Sequence, residues 1–235
     1  MTETPLYRPI TAGEFLHERK MRFSPDSLEA TGIPFDAISH GGTEPLTPPM
    51  PSPDWQSRLG SISQVMPLDF EGYAAILLPW VAYRGQIRYD VEGIAEAYRS
   101  FGLTVPEERS LDRIYADFGI IERSREVPAL ARMVLDRFAG TAKTVFVRSA
   151  SYAPDEPTYW AIERKLFLEL EDPFSEIPHT GGFYAIFPAG GRWYIHHPGD
   201  TPILYVAGSA DLIASLLQVL QDRVVPLQLT DKYYS

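Results

Sequence analysis

The sequence predicts an α+β fold. It consists of a mainly antiparallel sheet, with a meander in the C-terminal half, three short helices inserted mid-chain and one C-terminal helix packed on the sheet. Three observations lead there. Strand-length apolar runs follow one another through the C-terminal half, separated by turn residues rather than by helical stretches. Three short helical patterns stand in a row between residues 90 and 140. Leu212, Ile213, Leu216, Leu217 and Leu220 form one wide apolar stripe at helical spacing, and such a stripe needs a sheet to cover it. Strands that cluster apart from helices indicate α+β rather than an alternating βαβ order.

The first stretch differs from the rest. Residues 1–53 are proline-rich and read as an N-terminal arm with short helical turns, while 54–235 reads as a single α+β domain. Thr11 and Glu14 match a capping box, and Phe15, Leu16 and Arg19 begin a short helix behind it. Ser24 followed by Pro25, with Gly32 as a stop, predicts one or two helical turns over 25–31. The prolines of 44–53 indicate an extended, partly polyproline linker. An arm that wraps the domain is the plain expectation, and a partner-binding tail is the sharper one.

The domain opens with a short strand expected over 61–66. A central strand is expected over 70–81, because Tyr73, Ala75 and Leu77 on one face and Ala74, Ile76 and Leu78 on the other are all apolar. Residues 84–86 are a turn. Asp90 reads as the cap of a helix carrying Val91, Ile94, Ala95, Tyr98 and Phe101, which Gly102 ends. Ser110 caps the next helix, with Leu111, Ile114, Tyr115 and Phe118, ended by Gly119. The third runs from Pro128 through Leu130, Met133, Val134 and Phe138 to Gly140.

The chain then returns to strands. Val145, Phe146 and Val147 mark one over 144–149. Over 159–171, Trp160, Ile162, Leu166, Leu168 and Leu170 alternate with Glu163, Lys165, Glu169 and Glu171, the pattern of a half-exposed antiparallel strand. Strands over 182–187 and 192–197 are joined by a tight turn at 189–191. In the second, Trp193, Ile195 and His197 share one face, since side chains alternate. Residues 198–200 are turn chemistry, and 203–206 is a buried strand. Ser209 is the N-cap of the final helix, and Asp211 sits where the helix dipole favours a carboxylate. Each side chain of the 212–220 stripe contributes about 1.5–3 kcal/mol on burial, before entropy, so this helix must lie on the sheet. Val224, Val225, Leu227 and Leu229 suggest a last strand, placed at an edge by Pro226.

Three segments carry a resemblance. Pro67, Leu68, Phe70, Glu71, Tyr73, Ala74, Ile76, Leu77 and Pro79 fit an "LPxxFExYAxILHP" pattern, with Leu78 in place of its His. Tyr205, Val206, Gly208, Ser209, Leu212 and Ile213 fit "YVGGSxxLI", with Ala207 in place of the first Gly, after a strand that holds Trp193, Tyr194 and Ile195. Leu130, Ala131 and Leu135, ahead of Val145, Phe146 and Val147, give a third match. In these segments, over about 65–230, the chain resembles a family of uncharacterised, mostly actinobacterial proteins with no assigned activity. The resemblance implies a fold and no chemistry.

Composition limits the function classes. A formal net charge of −10 argues against a nucleic-acid surface, which needs Lys and Arg for phosphate contacts, and suits a basic partner. The absence of cysteine excludes disulfides, thiolate metal sites and cysteine nucleophiles. Met1 to Pro9 shows no apolar signal core, and no apolar run reaches the ~18 residues of a membrane span, so a cytoplasmic protein without membrane contact is expected. No nucleotide-binding glycine motif occurs, and no cofactor is expected.

Two readings of function follow. His179, His196 and Asp200 are candidates for a shared metal ion, and would serve a small-ligand site or a metal-assisted hydrolase if they converge. His196 and His197 are adjacent in a strand and point to opposite faces, so both cannot join one ion easily. Ser149, Ser151, Ser209 and Ser215 lie outside any G-x-S-x-G context, and Glu169 with Glu171 is better explained as a solvated strand face. The favoured reading is a non-enzymatic protein-interaction module, like an immunity or antitoxin protein by analogy. Its interaction candidates are the aromatics Trp160, Tyr184, Trp193 and Tyr194.

Overall fold

The structure is a computed structural model that describes residues 7–24, 60–122, 142–151, 158–165, 180–198 and 201–234. In chain order the strands are β1 (Tyr7–Ile10), β2 (Gly72–Leu77), β3 (Trp80–Arg84), β4 (Ile87–Val91), β5 (Gly119–Glu122), β6 (Thr144–Ser151), β7 (Thr158–Glu163), β8 (Thr180–Pro188), β9 (Tyr194–His196), β10 (Ile203–Gly208) and β11 (Val224–Leu227). The described helices are α1 (Ala12–Arg19), α2 (Ile94–Ser100), α3 (Leu111–Asp117) and α4 (Ala210–Leu220). Eight strands form one sheet in the order β1-β7-β6-β8-β9-β10-β2-β11, and β4-β3-β5 form a second. Every pairing among them is antiparallel, so the fold is α+β with a mainly antiparallel sheet. Among the described residues, no helix is long and apolar enough to cross a membrane.

The large sheet separates two apolar layers. On one face Ala74, Ile76, Ile195 and Val206 meet Leu212, Ile213 and Leu216 of α4. On the other, Tyr73, Ala75, Tyr194 and Tyr205 pack in one cluster with Phe15 of α1, Trp80 of β3, Ile94 of α2 and Ile114 of α3. β10 is buried at all six positions because it has neighbours on both edges and a layer on both faces. The final helix forms as its sequence dictates: the Ser209 hydroxyl accepts from the Leu212 amide at 3.2 Å. β11, with Pro226, is an edge strand, since an imide nitrogen cannot serve a central ladder.

Several expectations are corrected. The stretch 61–66 holds a 3₁₀ turn (Ile62–Gln64) in place of a strand. The single strand expected over 70–81 is two: β2 ends at Leu77 and β3 begins at Trp80, in different sheets. Pro79 stands between them, and without an N–H it cannot carry one ladder through. Asp90 is not a helix cap; it pairs with Val81 inside β4, and α2 starts later with Gly93 as its N-cap. Gly119 opens β5, a strand the periodicity did not reveal, because four residues are too few to show alternation. The strand expected over 159–171 ends at Glu163, and at its centre both faces are covered: Trp160 and Ile162 face one layer and Ala161 the other, between β1 and β6, while Glu163 is exposed.

The arm is partly structural. The capping box forms, with Glu14 N bonded to Thr11 Oγ1 at 3.1 Å and Thr11 N to Glu14 Oε2 at 2.8 Å. β1 then extends the large sheet alongside β7, and Phe15 is buried against Tyr159 and Phe187. The turns expected over 25–31, the linker over 44–53, the helix from Pro128 to Gly140 and residues 166–171 lie outside the described residues.

Candidate functional site

The register of the large sheet aligns one row of residues on one face. Ile10 pairs with Tyr159, Tyr159 with Arg148, and Arg148 with Ala185. Ala185 pairs with His196, His196 with Tyr205, Tyr205 with Ala75, and Ala75 with Val225. Cross-strand partners project to the same side, so all eight side chains face the layer that holds Phe15 and Trp80. Arg148 is 9% exposed and His196 0% exposed. Charged and polar side chains are thus set into an otherwise apolar row, where leaving water is costly.

The C-terminal segment closes the row. His196 Nε2 lies 2.9 Å from the Tyr233 hydroxyl. Tyr205 donates its hydroxyl proton to the Tyr234 carbonyl at 3.0 Å and accepts from the Tyr234 amide at 3.0 Å. The Tyr234 hydroxyl donates to Asp112, and its ring stacks on Tyr115 at 4.1 Å. Backbone bonds hold the same segment: Ile62 N to Asp231 O, Ser63 N to Leu229 O and Tyr233 N to Gly60 O. Burial raises the phenol of Tyr205 far above its ordinary range and that of Tyr115 to about 12. Burial, and then the bond to Asp112, raises that of Tyr234 as well. These phenols stay neutral near pH 7 and act as hydrogen-bonding groups.

A cleft of about 630 Å³ opens beside this network, along β11. Its apolar part is Leu111, Leu217, Val224, Val225, Pro226 and Leu227, and its charged part is Glu107, Glu108, Asp112, Asp231, Arg109 and Lys232. Arg109 is already engaged: Nη2 is 3.3 Å from Asp222 Oδ1, and Nη1 donates to the Gln221 carbonyl at 2.8 Å. Lys232 Nζ lies 4.7 Å from the centroid of the Tyr234 ring. Asp112 belongs to both places, lining the cleft and accepting from Tyr234.

The predicted site residues fall unevenly. His179 and Asp200 lie outside the described residues, so their expected meeting with His196 has no geometry here. His196 faces the interior rather than solvent. Among the described residues, no group of three His, Asp or Glu is placed to hold a metal ion. Three of the four aromatic interaction candidates are corrected: Trp160 is 8% exposed, Trp193 1% and Tyr194 0%, so they are core residues and offer little surface. Their size drives this, because a buried aromatic removes more apolar area from water than any other side chain. Tyr184 lies in β8.

Sequence reasoning missed Arg148, Tyr233 and Asp112. Arg148 had a signal, a charge directly after Val145, Phe146 and Val147 in a strand. Tyr233 and Asp112 had none, since their partners are 37 and 122 residues away. Compared with known proteins, the chain matches no family model, no curated protein and no solved structure.

Proposed function

We propose that the chain is a protein-interaction module whose cleft along β11 takes an extended basic segment of a partner protein. The observation that carries this is the make-up of the cleft. Its apolar floor is rimmed by Glu107, Glu108, Asp112 and Asp231, while Arg109 is held by Asp222. An apolar floor suits the side chains of a peptide, and the carboxylates suit its lysines and arginines. The net charge of −10 steers a basic partner in the same direction. This reading replaces the buried aromatics with an acidic cleft as the contact surface and involves no catalysis.

The test uses a labelled peptide of alternating lysine and apolar residues, with fluorescence anisotropy as the readout. Saturable binding that weakens as salt rises is expected, because rim charges are screened within a Debye length of about 8–10 Å. Glu107→Lys with Glu108→Lys should remove it, while an acidic peptide of the same apolar pattern should not bind. Binding that is indifferent to salt and to the charge reversal, or no binding at low salt, overturns the proposal.

A further inference from the structure

β4 is an outer strand of the small sheet: among the described residues it has a strand on one side only, β3. Four of its five residues are exposed, with Ile87 at 56% and Tyr89 at 40%. The Tyr89 ring is held in a T-shaped contact with Phe101 at 4.9 Å. Large apolar side chains on an open strand edge favour the addition of another strand. The edge strands of the large sheet each carry a proline, Pro9 and Pro226, whereas β4 holds none, and its register against β3 runs without a shift.

The hairpin fixes which backbone groups of β4 point outward. β3 and β4 are joined across Gly85 and Gln86, with Arg84 opposite Ile87 and Gly85 at φ 62°. In a two-residue turn the carbonyl of the first residue accepts from the amide of the fourth, so Ile87 is turned towards β3. Bonded and non-bonded positions alternate along an antiparallel pair, so Tyr89 and Val91 are turned to β3 as well. The amides and carbonyls of Arg88 and Asp90 are left on the outer edge.

We infer that this edge takes a second copy of this chain: β4 pairs antiparallel with β4 of the other copy about a two-fold axis at Tyr89, joining the two small sheets. The strand is self-complementary in that register. Arg88 falls opposite Asp90 of the other copy, twice, at the positions whose backbone groups point outward, and opposite charges there favour pairing. A shift of two residues either way would set Arg88 against Arg88 or Asp90 against Asp90, and like charges directly opposite oppose pairing. Asp90 already holds an interaction within its own chain, and a carboxylate accepts several hydrogen bonds, so the arginine adds to that contact. Ile87 and Tyr89 lie on the face that carries the buried Trp80 and Ala82. The junction sets Ile87 beside Val91 of the other copy and Tyr89 against itself, which carries the apolar layer across the axis. This surface shares no residue with the cleft along β11, and neither proposal depends on the other.

The experiment reads the oligomeric state of the full chain by sedimentation equilibrium over a concentration series. A reversible monomer–dimer equilibrium is expected, and a weak one, since a junction of two short strands is small against the ~1,200 Å² of a standard interface. Arg88→Glu should raise the dimer Kd at least about tenfold, because two cross-strand pairs turn from attractive to repulsive together. The register is read by a single introduced thiol, as the chain has no cysteine of its own. Tyr89→Cys places two thiols at a non-bonded pair with Cα atoms about 4.5 Å apart, within disulfide reach, and should cross-link rapidly under mild oxidation. Gln86→Cys, six residues out of register with its own copy, places them about 20 Å apart and should not. A wild type that stays monomeric throughout the series overturns the inference. So does a dimer that is indifferent to Arg88→Glu, or one in which Gln86→Cys cross-links as fast as Tyr89→Cys.

Discussion

Asp222 caps a helix whose own N-cap, Gly93, has no side chain to do so. The Ala95 amide donates to Asp222 Oδ2 at 2.8 Å, across 127 residues of sequence. A Cβ on Gly93 would meet that same oxygen at 2.5 Å. The bare N-cap therefore makes room for a borrowed one, and Arg109 holds the other carboxylate oxygen. The carboxylate also sits at the positive end of α2, where the free amides favour it.

Asp222→Ala should therefore lower stability by about 1–2 kcal/mol, the usual cost of a lost cap. Gly93→Ala should cost a similar amount by driving the carboxylate away, and alanine is itself the poorer N-cap. Urea unfolding reads both as a lower midpoint with an unchanged slope. The double variant should cost less than the sum of the two, since both remove one contact.

Gly119 faces Tyr83 across β3 and β5, and the ring fills the place where a side chain would be. Gly119→Ala should force the tyrosine off its position at a cost of about 1–3 kcal/mol, the range for overpacking. Tyr83→Ala in the same background should recover part of that loss. A Gly119→Ala protein as stable as the wild type would show that the ring moves freely.

The hydroxyl of Tyr205 ties both backbone groups of Tyr234. Tyr205→Phe leaves that amide and carbonyl to find other partners, at about 1–3 kcal/mol. The specific readout is hydrogen exchange at the Tyr234 amide, which should lose protection before the strands do. Unchanged protection there would place the hold on the segment elsewhere.

Stability should fall at both ends of the pH scale. The hydrogen bond from Tyr98, followed by the Arg113 contact, depresses the Asp117 carboxyl below its ordinary 3.8. A depressed folded pKa gives stability that is present above the unfolded value and lost as pH falls through the folded one. Tyr98 runs the other way: burial, and then Asp117, raises its phenol from 10.0 to about 12. Its contribution is complete below pH 10 and lost as pH rises towards 12. Asp117→Asn should flatten the acid limb of the profile, and Tyr98→Phe the alkaline limb. Urea midpoints measured across the pH range check both.

Both edges of the large sheet carry a proline inside a four-residue strand, Pro9 in β1 and Pro226 in β11. Proline at an edge denies an incoming strand one hydrogen bond and keeps sheets from joining. Pro226→Val should shift the protein towards larger species in sedimentation velocity at the same concentration. An unchanged distribution would show that the charges beside β11 guard that edge alone.

Much of the fold was legible because its signals are local. The caps at Thr11, Ser110 and Ser209 each bond to an amide three residues on, and all three formed where their sequence placed them. The edge role of β11 followed from one missing N–H. Asp90 failed for the same local reason: an Asp before apolar residues reads alike as a cap or a strand position, and only the β3 pairing decided for the strand. The split had a signal in Pro79, but the apolar faces of both halves outweighed it and read as one central strand.

What the sequence by itself determined is therefore the α+β class, the acidic charge, the caps and the buried strands around Tyr205. Each depends on residues a few positions apart or on composition. Only the tertiary structure decided that Arg148, His196 and Tyr205 share one row, that Asp222 caps α2, and that the cleft borders β11. Those facts rest on register and strand order, which are set by pairings between distant segments, and no local pattern encodes which strand will lie beside which.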